Sequence, residues 1–217
     1  MPPIAAIRAE PRSAAFPRLL ETRLAGRARR KGRRTRAALR IAAARLIHLN
    51  GYDRVHTADI ADAAGLSKAA FYVYFRDKAD VAVSVLRPFV AVAFPARSPC
   101  FEAVDPVRSA FARLAPLIGE NRRLIQALEP LRDDAPDFAA RCEARILRWH
   151  EGLLSSAGLD PRLAPLLAAT SLGLAWRSPD AAAGGVAEEV SRLWRPAGAA
   201  PRQAVRAAPV LVSLVGA

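Results

Sequence analysis

Cysteine is nearly missing from this 217-residue chain: Cys100 and Cys142 are all it has. Two thiols so far apart make neither a disulfide framework nor a metal-ligand motif, which fits a reducing, cytoplasmic setting. Long apolar runs are missing too. The longest uncharged apolar stretch, Leu163 to Trp176, contains a proline and falls short of the ~18 residues that span a bilayer. No apolar h-region follows the early arginines, so a secretory signal is not expected. The three histidines, His48, His56 and His150, are scattered, and no glycine-rich phosphate loop or paired ligand motif accompanies them. Arg122-Arg123 and Asp133-Asp134 read as solvated charges. The sequence thus predicts no catalytic residues, no metal and no cofactor. Alternating strand patterns are absent, and lysine is rare, with only Lys31, Lys68 and Lys78 among 33 basic residues.

What is present is positive charge, unevenly placed. The net charge is +13, and residues 1–34 hold ten Lys/Arg against Glu10 and Glu21. Residues 35–86 are nearly neutral, with seven basic residues against five acidic ones. A basic, proline-bearing segment of this kind reads as a flexible arm (1–34) that binds polyanions by counterion release, without sequence preference.

From Thr35 onward the chain reads as helical. Leu39, Ala42, Ala43, Leu46 and Ile47 recur at spacings of three and four, and Gly51 suits a left-handed stop. Thr57 is placed to cap a short helix whose buried face is Ile60, Ala61 and Ala64. Gly65 permits a sharp turn, Ser67 caps the next helix, and Phe71 sits one turn inside it. Two short helices about a glycine turn form the helix-turn-helix pattern, here spanning Thr57 to Phe75. Asp77 opens a further helix through Val81, Val85 and Phe89, with a kink expected at Pro88. Asp105-Pro106, Asp160-Pro161 and Ser178-Pro179 each pair a cap with a proline suited to a first helical turn. They predict helices near 106–119, 121–131, 136–157, 161–177 and 179–195. The clearest carries the stripe Phe138, Cys142, Ile146, Trp149 and Leu153, ended by Gly158.

The block from Leu39 to Leu86 resembles the DNA-binding domain of the tetracycline-repressor (TetR) family. The resemblance rests on the helix ending in Asn50-Gly51-Tyr52, then Asp59-Ile60-Ala61, Ala64-Gly65-Leu66-Ser67-Lys68, Phe71-Tyr72-Val73-Tyr74-Phe75, and Asp77-Lys78. A recognition helix enters the major groove with its first turn near the base edges. That makes Ser67, Lys68, Ala69 and Ala70 the base-proximal residues, with Tyr72 and Val73 further along and Thr57 at the start of the preceding helix. Tyr74 and Lys78 resemble the family's phosphate-contacting tyrosine and lysine. The chain departs from the pattern at His56, where a threonine is common, and at Ala69-Ala70, where Gly-Thr is common. The second departure replaces a hydroxyl by methyl groups suited to thymine methyls.

The resemblance implies an all-α homodimeric repressor of double-stranded operator DNA. Its three-helix reading head (35–80) would be joined to a helical ligand-binding and dimerisation domain (81–195), followed by a tail (196–217). Leu163, Leu166, Leu167, Leu174, Val186, Val190 and Leu193 are the apolar candidates for the dimer interface. Phe94, Phe111, Leu128, Trp149 and Trp176 are candidates to line a pocket for a small, largely apolar ligand. A rival reading of the same residues is an architectural DNA binder that uses the basic arm on an inert helical body. A helical enzyme has no motif behind it.

Overall fold

The computed structural model describes residues 15–25 and 31–173. The expected elements that depend on Leu174, Trp176, Val186, Val190 and Leu193, and the 196–217 tail, lie outside these residues. Among the described residues there is no strand.

The flexible-arm expectation fails at its inner end. Helix α1 spans Phe16–Ala25, and Ala15, Phe16 and Leu20 are buried. The Phe16 ring meets Phe89 edge-on at 5.1 Å. Its amide donates to Asn121 Oδ1 at 2.8 Å, and Glu21 pairs with Arg45 at 2.6 Å. Burying such a phenylalanine contributes roughly 1.5–3 kcal/mol, enough to hold a short charged helix down. Helix α2, Lys31–Asn50, buries the expected stripe of Leu39, Ala42, Ala43, Leu46 and Ile47. It ends where Gly51 adopts φ 85°.

After the two reading-head helices comes α5, Lys78–Ala93, which runs on without a break across the boundary expected at residue 80. Pro88 lies inside it. Proline has no amide to give the carbonyl four residues back, and that carbonyl, Ser84 O, is taken by Arg40 Nη2 of α2 at 2.7 Å. Burial, and then the nearby charge of Arg36, hold the Arg40 guanidinium below its usual pKa. At its far end, the α5 carbonyls of Val92 and Ala93 accept from Arg113, at 2.6 and 3.0 Å. Phe94 O accepts from Arg145 Nε at 2.8 Å. Cations at a helix C-terminus also complement its dipole. Thus α5 is bonded to the reading head midway and to the helical body at its end.

Removing the Arg40 donors should be costly. We expect Arg40→Met to lose about 1.5–3 kcal/mol in urea denaturation, the range for a charged donor to a part-buried acceptor. Adding Pro88→Ala, which returns an amide to Ser84 O, should recover part of that loss. No recovery would show that the Ser84 carbonyl is not what Arg40 serves.

The helical body follows the proline punctuation with one correction. Helix α6, Pro106–Glu120, is capped by Asp105, whose carboxylate accepts from Arg108 N at 3.0 Å. The single helix expected near 121–131 is instead two short ones, α7 Arg122–Gln126 and α8 Leu131–Asp134, with Pro130 at the junction. Helix α9, Pro136–Ser156, buries Phe138, Cys142, Ile146, Trp149 and Leu153 as the stripe predicts, and it packs on α6, α8 and α10. Asp160 opens a 3-10 turn, Pro161–Leu163, that leads into α10, Ala164–Gly173.

His150, on α9, is fully buried. Its Nδ1 lies 2.8 Å from Ile146 O, an acceptor only, so Nδ1 carries the proton. Nε2 is left as an acceptor 3.0 Å from the Ser171 hydroxyl, whose single proton it shares with Ala168 O, also at 3.0 Å. Burial pushes the imidazole pKa down to about 4 against this backbone bond, which keeps the ring neutral.

Candidate nucleic-acid interface

The reading head is built on a short helix, α3 (Thr57–Ala63), and a second, α4 (Lys68–Tyr74). The cap of α3 is one residue earlier than the sequence suggests. His56 is the N-cap, and its amide donates to Asp59 Oδ2 at 2.9 Å. Thr57 instead turns its Oγ1 to Tyr72 Oη at 3.3 Å, tying α3 to α4. Gly65 makes the turn at φ 70°, a backbone conformation costly for residues with a Cβ. Ser67 then caps α4 as expected, accepting from Ala70 N at 3.1 Å.

The two faces of α4 differ sharply. Phe71 and Phe75 are buried, with ring centroids 5.8 Å apart, and they anchor the helix. Facing solvent are Ser67, Lys68, Ala69, Tyr72 and Val73, while Ala70 and Tyr74 are half-buried. Val73 is 76% exposed and Tyr72 50%. The Val73 side chain, so exposed on a surface helix, adds little to the core. Beside the basic Lys68 it suits a groove edge, where methyl and aromatic groups meet bases and a cation meets phosphate.

Charge is added from outside the helix-turn-helix. Lys31, Arg33, Arg34 and Arg36 are exposed on the first turns of α2. Those turns lie at the end of α4: a Cβ on Gly32 would stand 3.8 Å from Tyr74 Oη, and the Arg36 guanidinium sits 4.7 Å over the Phe75 ring. The sequence shows this density of charge but not its position beside the recognition helix. The nearby acids are occupied locally. Asp59 holds His56 N, Asp77 Oδ1 accepts from Asp80 N at 2.7 Å, and Asp80 Oδ2 accepts from Arg76 N at 3.2 Å.

Lys78, at the start of α5, is moored. Its Nζ donates to Tyr52 O at 3.2 Å and stands 4.1 Å over the Tyr52 ring. The Tyr52 hydroxyl donates in turn to Asp134 Oδ2 at 2.6 Å. Burial first, and then the Asp134 bond, push the phenol pKa upward, so the hydroxyl remains a donor.

The other candidate residues divide. Phe94, Phe111 and Trp149 are buried, and Leu128 is partly buried against the same core. Phe94, Phe101, Trp149 and His150 form one aromatic cluster, with Phe94–Trp149 at 5.5 Å and Trp149–His150 at 4.9 Å. Leu163 and Leu166 stay available at the surface, 39% and 41% exposed. Leu167 does not: it is fully buried in the chain's own core and leaves the set of interface candidates.

A glycine-turned pair of helices with an anchored back and an exposed, basic and apolar front defines a helix-turn-helix DNA-binding regulator. Residues 40–85 match the family model of bacterial regulatory proteins, tetR family. The fold agrees over most of the chain. NalD, the secondary repressor of the MexAB-OprM multidrug efflux pump in Pseudomonas aeruginosa, is 25% identical. The match covers 75% of this chain and 97% of NalD, with a TM-score of 0.51. A TetR/AcrR-family transcriptional regulator from Thermobifida fusca is 21% identical, over 73% of this chain and 94% of that one, with a TM-score of 0.53. The fatty acid degradation regulator FadR from Bacillus halodurans is 17% identical, over 70% and 92%, with a TM-score of 0.52. No curated protein matches the sequence. The tetR-family match thus covers the helix-turn-helix end of the chain, residues 40–85, and the solved structures share the fold of the rest. No helix among the described residues is long and apolar enough to cross a membrane.

Proposed function

We propose that the protein is a cytoplasmic homodimeric repressor that reads a near-palindromic operator and is released from it by a small, largely apolar ligand. The observation that carries this reading is the exposed face of α4. Lys68, Ala69, Tyr72 and Val73 stand clear of a helix held from behind by Phe71 and Phe75. Ser67 and the α4 amides, Tyr74, Lys78 and the basic start of α2 serve phosphates along the groove. Ala69 and Val73 lie one turn apart on this face and favour thymine methyls. The part-exposed Leu163, just before α10, and Leu166, on α10, supply the described part of the dimer seam.

Release works by population shift, with a ligand favouring a conformation whose two heads no longer match the operator spacing. Helix α5 suits the task, being bonded to α2 through Arg40 and to α6 and α9 through Arg113 and Arg145. The aromatic cluster is the proposed ligand region. Trp149 Nε1 is buried there without a hydrogen-bond partner among the described residues, a donor that a ligand acceptor would satisfy. Selection of bound duplexes from a random pool tests the reading. It should return an inverted repeat with half-sites about one or more helical turns apart, and recovery of no shared sequence would contradict it.

A further inference from the structure

The carboxylate of Asp134 belongs to the helical body, yet it grips the reading head at the residue on which Lys78 rests. We infer that Asp134 and the Tyr52 hydroxyl are positioning residues for DNA binding, holding the Lys78 ammonium in place for a phosphate oxygen. The inference rests on the proposed role of Lys78 as a phosphate contact.

Three contacts carry it. The Tyr52 hydroxyl reaches across 82 positions of sequence to Asp134 Oδ2 at 2.6 Å, a charge-assisted bond of the short, strong kind. The Tyr52 ring lies under the Lys78 ammonium at 4.1 Å. The Tyr52 carbonyl accepts from the same ammonium at 3.2 Å. Lysine has three N–H donors. One goes to Tyr52 O and the ring shields one side, which leaves two donors for a phosphate. An unmoored lysine would sample many rotamers and lose up to about 2 kcal/mol of side-chain entropy on meeting a phosphate. Tyr52 removes part of that cost in advance, and Asp134 fixes Tyr52. Asp134 is the last residue of α8, Leu131–Asp134. A shift of α8 relative to α2 would therefore be transmitted to the ammonium without passing through α5. This gives the Asp133-Asp134 pair, which reads from sequence as solvated charge, a role for its second member.

The test is a mutant cycle on the full-length protein with its selected operator. Tyr52→Phe deletes only the hydroxyl, and Asp134→Asn keeps the shape and removes the charge. Each should weaken operator binding about three- to tenfold, part of the lysine ordering cost that mooring removes in advance, and the double variant should be no weaker than the worse single one. In a Lys78→Ala background neither should have any further effect. The salt dependence of binding should become shallower in Tyr52→Phe, in the same direction as in Lys78→Ala. Equal weakening by Tyr52→Phe with and without Lys78 would mean a purely structural role and would overturn the inference, as would no weakening at all. Loss of affinity in Lys78→Ala with none in Tyr52→Phe overturns the inference alone. No loss in Lys78→Ala overturns the phosphate-contact reading beneath it.

Discussion

A protein carrying both Lys68→Ala and Lys78→Ala is expected to keep its fold and lose most of its hold on DNA. Lys68 is exposed on the first turn of α4 and makes no contact that the fold depends on. Lys78 is moored to Tyr52, but through a single donor and one ring face. Each phosphate contact contributes about 0.9 to the slope of log affinity against log salt. Two lysines per head, on the two heads of the proposed dimer, should flatten that slope by roughly 3–4. At about 0.15 M salt the matching loss in affinity is on the order of a thousandfold. It should fall almost equally on operator and random duplexes, because phosphates carry no sequence information. Binding isotherms at several salt concentrations check this. An unchanged slope would mean that neither lysine faces phosphate. By contrast Val73→Ser, on the exposed apolar stripe, should alter base preference and leave the slope intact.

The second large effect is on stability against pH. The neutral His150 ring is enclosed by Phe94, Trp149 and the Ile146 and Ser171 partners. Its folded pKa is about 4 against 6.5 for a free imidazole. The folded state therefore binds fewer protons than the unfolded state between those values. Above pH 6.5 the residue carries no penalty. As pH falls from 6.5 toward 4 the unfolded state gains protons first, and the protein loses stability, by about 3 kcal/mol at the lower limit. Urea denaturation of the wild type and of His150→Gln, at steps from pH 7.5 to 4.5, isolates this contribution from that of the carboxylates. The difference between the two curves should shrink as pH falls. A constant difference would mean that His150 titrates freely in the folded protein, and a difference that grows as pH falls would mean that it is charged there.

Legibility from sequence followed the range of the interactions. The helix-turn-helix is local: Gly65 makes its turn, Ser67 caps three residues ahead, and Phe71 and Phe75 share one face. Each of these needs only near neighbours, so spacing reveals it. Helix α1 was legible in principle, since Phe16, Leu20 and Leu24 recur every four residues, but the surrounding prolines and arginines give the composition of a tail. At His56 and Thr57 two adjacent residues competed for one cap, and Asp59 settled it by bonding the His56 amide. Pro130 was visible, yet whether it kinks a helix or divides it depends on what packs around it. Leu166 and Leu167 cannot be told apart by periodicity because α10 is apolar on most sides. Only the packed structure shows that one faces out and the other in. The bonds from Arg40 to Ser84 and from Tyr52 to Asp134 join residues 44 and 82 positions apart, and no local pattern encodes them.

In the proposed function the exposed face of α4 reads sequence, rather than the basic segment merely holding any polyanion. Affinity for the selected operator and for a scrambled duplex of equal length, measured side by side as salt is raised, tests it most directly. Both affinities should fall with salt while their ratio stays at about a thousandfold or more. A ratio near one at every salt concentration would contradict it and leave an architectural binder in its place.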